Sequence, residues 1–243
     1  MEDFQNNYHG KIMLSQATDV ERVAFYKKTY THVAGGVLAF IVFEYFLLQS
    51  ASIVEFAISM FQGYRMLILL GLFMLVTNYA ESTVIKAANR NVQYMGYALY
   101  IFAEAFIFVP LIFIAVSMTE ESVETLNQAP VINQAAIVTL SLFTGISAIV
   151  FVTKKDFSFL RAGLTAGFFI AIGLIVAGIL FGFNLGLWFS VGMCVLAAGS
   201  ILYQTSNLIH KYGTEDYVPA ALGLFASLML LFWYVIQIFL SRD

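Results

Sequence analysis

Seven apolar runs alternate with short polar connections along the chain, and each run is long enough to cross a bilayer as a helix. A hydrocarbon core of about 30 Å takes about 20 residues of α-helix at ~1.5 Å each. Runs of that length cover residues 30–48, 65–82, 94–117, 134–152, 160–183, 186–209 and 217–240. The connections at 49–64, 83–93, 118–133, 153–159, around Asn184 and at 210–216 are polar and too short for a folded domain. The pattern predicts an all-α integral membrane protein. A seven-transmembrane-helix bundle over 30–243 follows a polar arm over 1–29, whose last part, about 20–30, reads as a short amphipathic helix. The break between the fifth and sixth runs is the shortest; Gly182, Asn184 and Gly186 suit a tight turn there.

Composition agrees with this pattern. Of 243 residues, 60% are hydrophobic and 11% charged, against about 25% charged in soluble domains. Too few charges remain to cover a water-facing surface, so the partner of most of the surface is the lipid bilayer. The net charge is −3 and the basic residues are dispersed. That excludes a nucleic-acid partner, which needs a concentrated basic surface. Cys194 is alone, so neither a disulfide within the chain nor a cysteine-rich zinc site can form. It reads as a small buried hydrophobe. Without an early apolar core, the first thirty residues do not form a cleavable signal peptide.

Charge placement sets an orientation. Lys11, Arg22, Lys27, Lys28, Lys86, Arg90, Lys154, Lys155, Arg161 and Lys211 fall on one set of connections; Arg65 and Arg242 fall on the other. Because cytoplasmic loops keep the excess of Lys and Arg, the N-terminus is expected inside and the C-terminus outside. The 118–133 loop, with Glu120, Glu121 and Glu124, then falls outside. Lys86 and Arg90 are expected to snorkel to headgroups at the inner end of the second span. Gly163 and Gly167, and Gly178, Gly182 and Gly186, recur every four residues and are expected to let helices approach closely.

Polar groups at membrane depth are the candidates for function, since a charge there costs at least ~2.5–3.5 kcal/mol. Glu104 lies near the middle of the third span and Glu44 in the outer part of the first, where it can reach the interface. Glu104 reads either as a titrating or ion-coordinating group facing a cavity, or as a hydrogen-bonded carboxyl locking helices together. On the sixth span Ser200, Tyr203, Gln204 and Asn207 share one helical face, and the seventh carries Ser227 and Gln237. These are either interhelical hydrogen-bond partners or a pore lining. His9, His32 and His210 lack metal-ligand spacing, and neither a phosphate-binding glycine loop nor a His-Glu-x-x-His motif is present. No cofactor and no enzyme activity are expected.

Five segments together resemble the Bax inhibitor-1 family, also called the transmembrane Bax inhibitor motif family, in its bacterial form. They are residues 25–30 (Phe-Tyr-Lys-Lys-Thr-Tyr), 97–110 around Glu104 and Pro110, 152–158 (Val-Thr-Lys-Lys-Asp-Phe-Ser), 203–207 (Tyr-Gln-Thr-Ser-Asn) and 215–222. The resemblance implies a seven-helix bundle whose last span is enclosed by the other six. It also implies a passive calcium leak, closed by an aspartate pair that shares a proton. Those aspartates would fall at Gln204 and about Ser227, and neither residue titrates near neutral pH. Calcium flux, carried or regulated without this gate, is therefore the leading expectation, with Glu104 and the Gln204–Ser227 region on the path. A non-transporting regulator of a membrane protease is the alternative, as some bacterial members are described as such. The location expected is a bacterial plasma (inner) membrane.

Overall fold

The computed structural model describes residues 13–126 and 130–241. After a single 3-10 turn at Leu14–Gln16 come eight helices: α1 (Asp19–Leu48), α2 (Ala51–Met60), α3 (Arg65–Lys86), α4 (Arg90–Leu126), α5 (Val131–Thr153), α6 (Leu160–Phe181), α7 (Gly186–His210) and α8 (Tyr217–Leu240). All except α2 are long and apolar enough to cross a membrane, giving seven candidate spans among the described residues. Helices are the form these runs must take, because hydrocarbon offers backbone N–H and C=O groups no partner outside the segment itself. Lys11, Arg242 and His9 lie outside the described residues.

The first span begins earlier than the apolar pattern alone indicates. Thr18 caps α1 through a capping box, its backbone N–H donating to the Glu21 carboxylate at 2.8 Å. The amphipathic segment expected near 20–30 and the first span are therefore one continuous helix. The 49–64 connection differs more from expectation. Its first half is α2, an apolar helix too short to span a bilayer, which packs against α1, α3 and α4 with Val54 and Ala57 buried. Phe56 meets Phe106, and Phe61, just beyond α2, stacks on Trp233. The 118–133 connection also begins as helix, since α4 runs to Leu126; the side chains of Glu120, Glu121 and Glu124 fall outside the described set. Pro110 sits inside α4. It removes one intrahelical donor without ending the helix.

The turn expected between the fifth and sixth runs is present. Gly182, at φ 71°, caps α6 by donating its N–H to the Gly178 carbonyl at 2.9 Å, and Gly186, at φ 68°, opens α7. Close helix approach, however, does not follow the expected glycine series. Gly163 has open space beside it, whereas Gly223 of α8 lies so close to Gln204 of α7 that a Cβ would come within 2.9 Å of the carboxamide. Gly96 of α4 meets Ala80 and Val84 of α3 in the same way. Of the predicted series, Gly167 alone packs against another span, at Leu196 of α7.

The last helix, α8, is the centre of the bundle. It packs on α1, α3, α4, α5 and α7, and Leu224, Phe225, Leu231 and Ile236 are fully buried. Phe225 takes the edge of Tyr97 at 90°. Helix α6 adds least to the enclosure of α8, where Ala171 clusters with Met193 and Tyr234. Helix α6 packs against α7, only lightly touches α3 and buries a single residue, Ala171.

Candidate functional site

Because α6 stands off from the centre, a cavity of about 1310 Å³ lies between it and α3, α4, α7 and α8. Glu104 of α4 lines it at the middle of the Arg90–Met118 span and is only 8% exposed. Tyr100, one turn earlier on the same helical face, lines the cavity beside it. A second acid lines the same cavity: Glu81, on α3. The apolar run at 65–82 places Glu81 at a span end; α3 continues past it to Lys86, and its side chain, though on the cavity wall, is exposed. The signal available in sequence is the continuation Thr83-Val84-Ile85, which keeps the helix going past the acid.

From α7 the cavity receives Ser200, Tyr203 and Gln204, and from α8 Ser227 and Gln237. The Ser227 hydroxyl donates to the Gly223 carbonyl at 2.9 Å, which leaves Ser200 as the donor in the 2.8 Å bond between the two hydroxyls. Nearer the other end, Ser190 donates to Gln237 Oε1 at 3.1 Å. Glu104, Tyr203, Gln204 and Ser227 are thus brought together around one space. Glu104 lines this cavity.

Asn207 and Glu44 are elsewhere. Asn207 is buried one turn beyond the cavity, with no partner for its Oδ1 among the described residues. Glu44, which the sequence allows to reach the interface, is instead 4% exposed with both carboxyl oxygens unpartnered among the described residues. It continues the buried stripe of Val33, Gly36, Phe40 and Leu47 on α1, and this helical spacing turns it inward.

The end of the bundle that carries most of the basic residues is tied shut by polar contacts. Arg90 does not snorkel: it pairs with Glu215 at 3.1 Å, donates to the Glu215 carbonyl at 2.9 Å and lies 4.3 Å over the Tyr217 ring. His32 stacks on Tyr94 and is 3.0 Å from its hydroxyl. Leu14 N–H donates to the Tyr212 carbonyl at 3.0 Å, and Arg22 donates to the Leu14 carbonyl. Between α5 and α6, hydrogen bonds from the Ser158 hydroxyl and N–H hold the Asp156 carboxyl below its ordinary range, with His210 and Lys211 adding a smaller electrostatic pull.

This arrangement defines a polytopic membrane protein with two carboxyls, several amides and hydroxyls around one cavity between its spans. Its chemistry suits the attraction of cations. The described residues contain no group of three or more His, Cys, Asp or Glu side chains that could hold a metal ion.

The chain belongs to the Bax inhibitor-1 family: the family model described as inhibitor of apoptosis-promoting Bax1 matches residues 22–243. It is similar to an uncharacterized protein of Pseudomonas aeruginosa, 40% identical over 114 residues, which are 46% of this chain and 51% of that protein. It is also similar to the modulator of FtsH protease YccA of Escherichia coli, 37% identical over 108 residues, 43% of this chain and 49% of that one. Bax inhibitor 1 of Schizosaccharomyces pombe is 27% identical over 144 residues, 57% and 53% of the two chains. The chain spans about half the length of the relatives it matches.

Proposed function

We propose that this protein mediates passive flux of cations, calcium by family resemblance, across a bacterial inner membrane, with its basic end in the cytoplasm and no enzymatic activity. The observation that carries this reading is Glu104, a carboxyl at mid-span lining a cavity of about 1310 Å³. A carboxylate in that position offsets part of the cost of bringing a cation to membrane depth, where its hydration is lost. Glu81 extends the negative potential toward the basic end.

The pair at Gln204 and Ser227 supplies hydrogen bonds and no titratable group, so protonation of these two side chains does not gate the flux. Purified protein in liposomes with an entrapped calcium dye tests this. Calcium entry is expected at both pH 6 and pH 8, and Glu104→Gln is expected to slow it about tenfold, equivalent to ~1.4 kcal/mol in the barrier. Gln204→Asn is expected to leave the ratio of the two rates unchanged. An acid-linked gate that vanishes in Gln204→Asn would overturn the reading of the pair, and absence of flux at both pH values would overturn conduction.

A second reading rests on the similarity to the modulator of FtsH protease: a non-transporting regulator of a membrane protease. Specific copurification of such a protease with the tagged chain, together with absence of flux, supports it.

A further inference from the structure

The cavity is much larger than an inorganic ion needs. Sites for drug-sized ligands occupy about 300–1,000 Å³ and are mostly apolar with a few placed polar groups; this one is about 1310 Å³. Its wall carries Tyr100, Phe108, Phe169, Phe189 and Trp233. Ring faces of this kind attract a cation held within about 6 Å. Two carboxyls, Glu81 and Glu104, share the wall, and among the described lining residues Arg161, on the first turn of α6, is the single basic side chain. The wall of the cavity thus carries two acid groups against one basic one, and its surface is aromatic.

Access is from the side. Helix α6 touches α3 only lightly and exposes Phe168 and Phe169, so a lipid-soluble molecule reaches the cavity from the bilayer without crossing the packed centre at α8. A small hydrated ion gains little from an aromatic wall, and a neutral lipid chain offers the two acid groups no polar partner. One ligand class meets all three features: a bulky, lipophilic organic monocation, with its charge near Glu81 and Glu104 and its apolar groups against the aromatic wall.

We propose that this cavity is a binding site for lipophilic organic cations. The proposal uses the same cavity as the conduction reading but does not need conduction. Equilibrium dialysis of the detergent-solubilised protein with radiolabelled tetraphenylphosphonium tests it. Expected is saturable binding of one equivalent, with tetraphenylborate, an anion of the same shape, competing at least about tenfold more weakly, or ~1.4 kcal/mol. Glu104→Gln and Glu81→Gln are each expected to weaken binding, and the double variant about tenfold or more. Because Glu104 is buried, the single variant Glu81→Gln keeps the test valid if the other fails to fold.

Location is read by fluorescence. The chain has two tryptophans; Trp188 is 84% exposed and absent from the cavity wall. Trp188→Phe leaves Trp233 as the sole reporter, and its emission is expected to change with the same saturation curve as dialysis. Equal competition by the borate, unchanged affinity in Glu81→Gln with the double variant, or no saturable binding at all would overturn the proposal. A protein that binds the phosphonium and passes no calcium loses only the conduction reading; one that passes calcium and binds no phosphonium loses only this one.

Discussion

Ser227 donates its hydroxyl proton to the Gly223 carbonyl, and Ser200 donates to Ser227 across 2.8 Å. A chain of hydroxyls ending on a backbone carbonyl is satisfied without any charge, which is why the α7–α8 contact holds together where the family resemblance leads one to look for acids. Outside the spans, Asp156 is a titratable group with a structural role. Its two bonds from Ser158 favour the charged form, so its proton is bound less readily in the folded state than in the unfolded chain. Its contribution is therefore full above the ordinary value of 3.8 and lost as the pH falls through the lower folded value. The same loop is anchored by Ser206 of α7, which accepts the Phe157 N–H at 2.9 Å. Asp156→Ala is expected to speed hydrogen exchange at the amide of Ser158 at pH 6, with the difference from the parent shrinking in acid. Equal exchange at pH 6 in the two proteins would count against the role given to this carboxyl.

Helix pairs in lipid hold together by close packing, since apolar side chains gain nothing from leaving a solvent as apolar as themselves. The close approaches of this bundle use Gly36 of α1 against Tyr97, Gly96 of α4 against α3, Gly167 of α6 against Leu196 and Gly223 of α8 against the Gln204 carboxamide. Gly223→Ala is expected to destabilise the protein by ~1–3 kcal/mol, the usual effect of an added methyl in a filled contact. Gly163→Ala, in open space on α6, is expected to be neutral or to stabilise by up to ~1 kcal/mol through helix propensity. Unfolding of both variants in the same detergent measures this, and equal losses would mean that α6 is packed as tightly as α8. The contrast also shows what sequence can reveal at this scale. Long apolar runs specify seven spans because length and hydropathy are properties of one segment. Which glycines touch is a property of two, and the four-residue spacing in α6 looks the same as a packing motif whether or not a neighbour is there.

At the scale of the whole molecule the same distinction separates the two acids of the cavity. Glu104 stands out in sequence because it interrupts the middle of an apolar run; Glu81 does not, because it sits where the run fades, and it joins the cavity wall while its side chain stays exposed. The apolar α2 was likewise hidden among polar neighbours, as ten residues cannot span and therefore leave no hydropathy signal of a span. The orientation of the bundle rests on the asymmetry of Lys and Arg between its ends, which is a property of the whole chain. Arg22, Lys28, Arg90 and Lys211 lie near one another at a single end, held there by contacts to Leu14, Tyr217, Glu215 and Tyr203. If that end faces the cytoplasm, a cysteine placed in the α5–α6 loop is shielded in intact spheroplasts and one in the α2–α3 connection is not. In a Cys194→Ala background, Lys155→Cys is expected to react with a membrane-impermeant maleimide only after lysis, and Tyr64→Cys before it. The reverse order would invert the orientation. It would also place the tied end, with Arg90, Glu215 and the docked Leu14 turn, on the side from which external cations arrive.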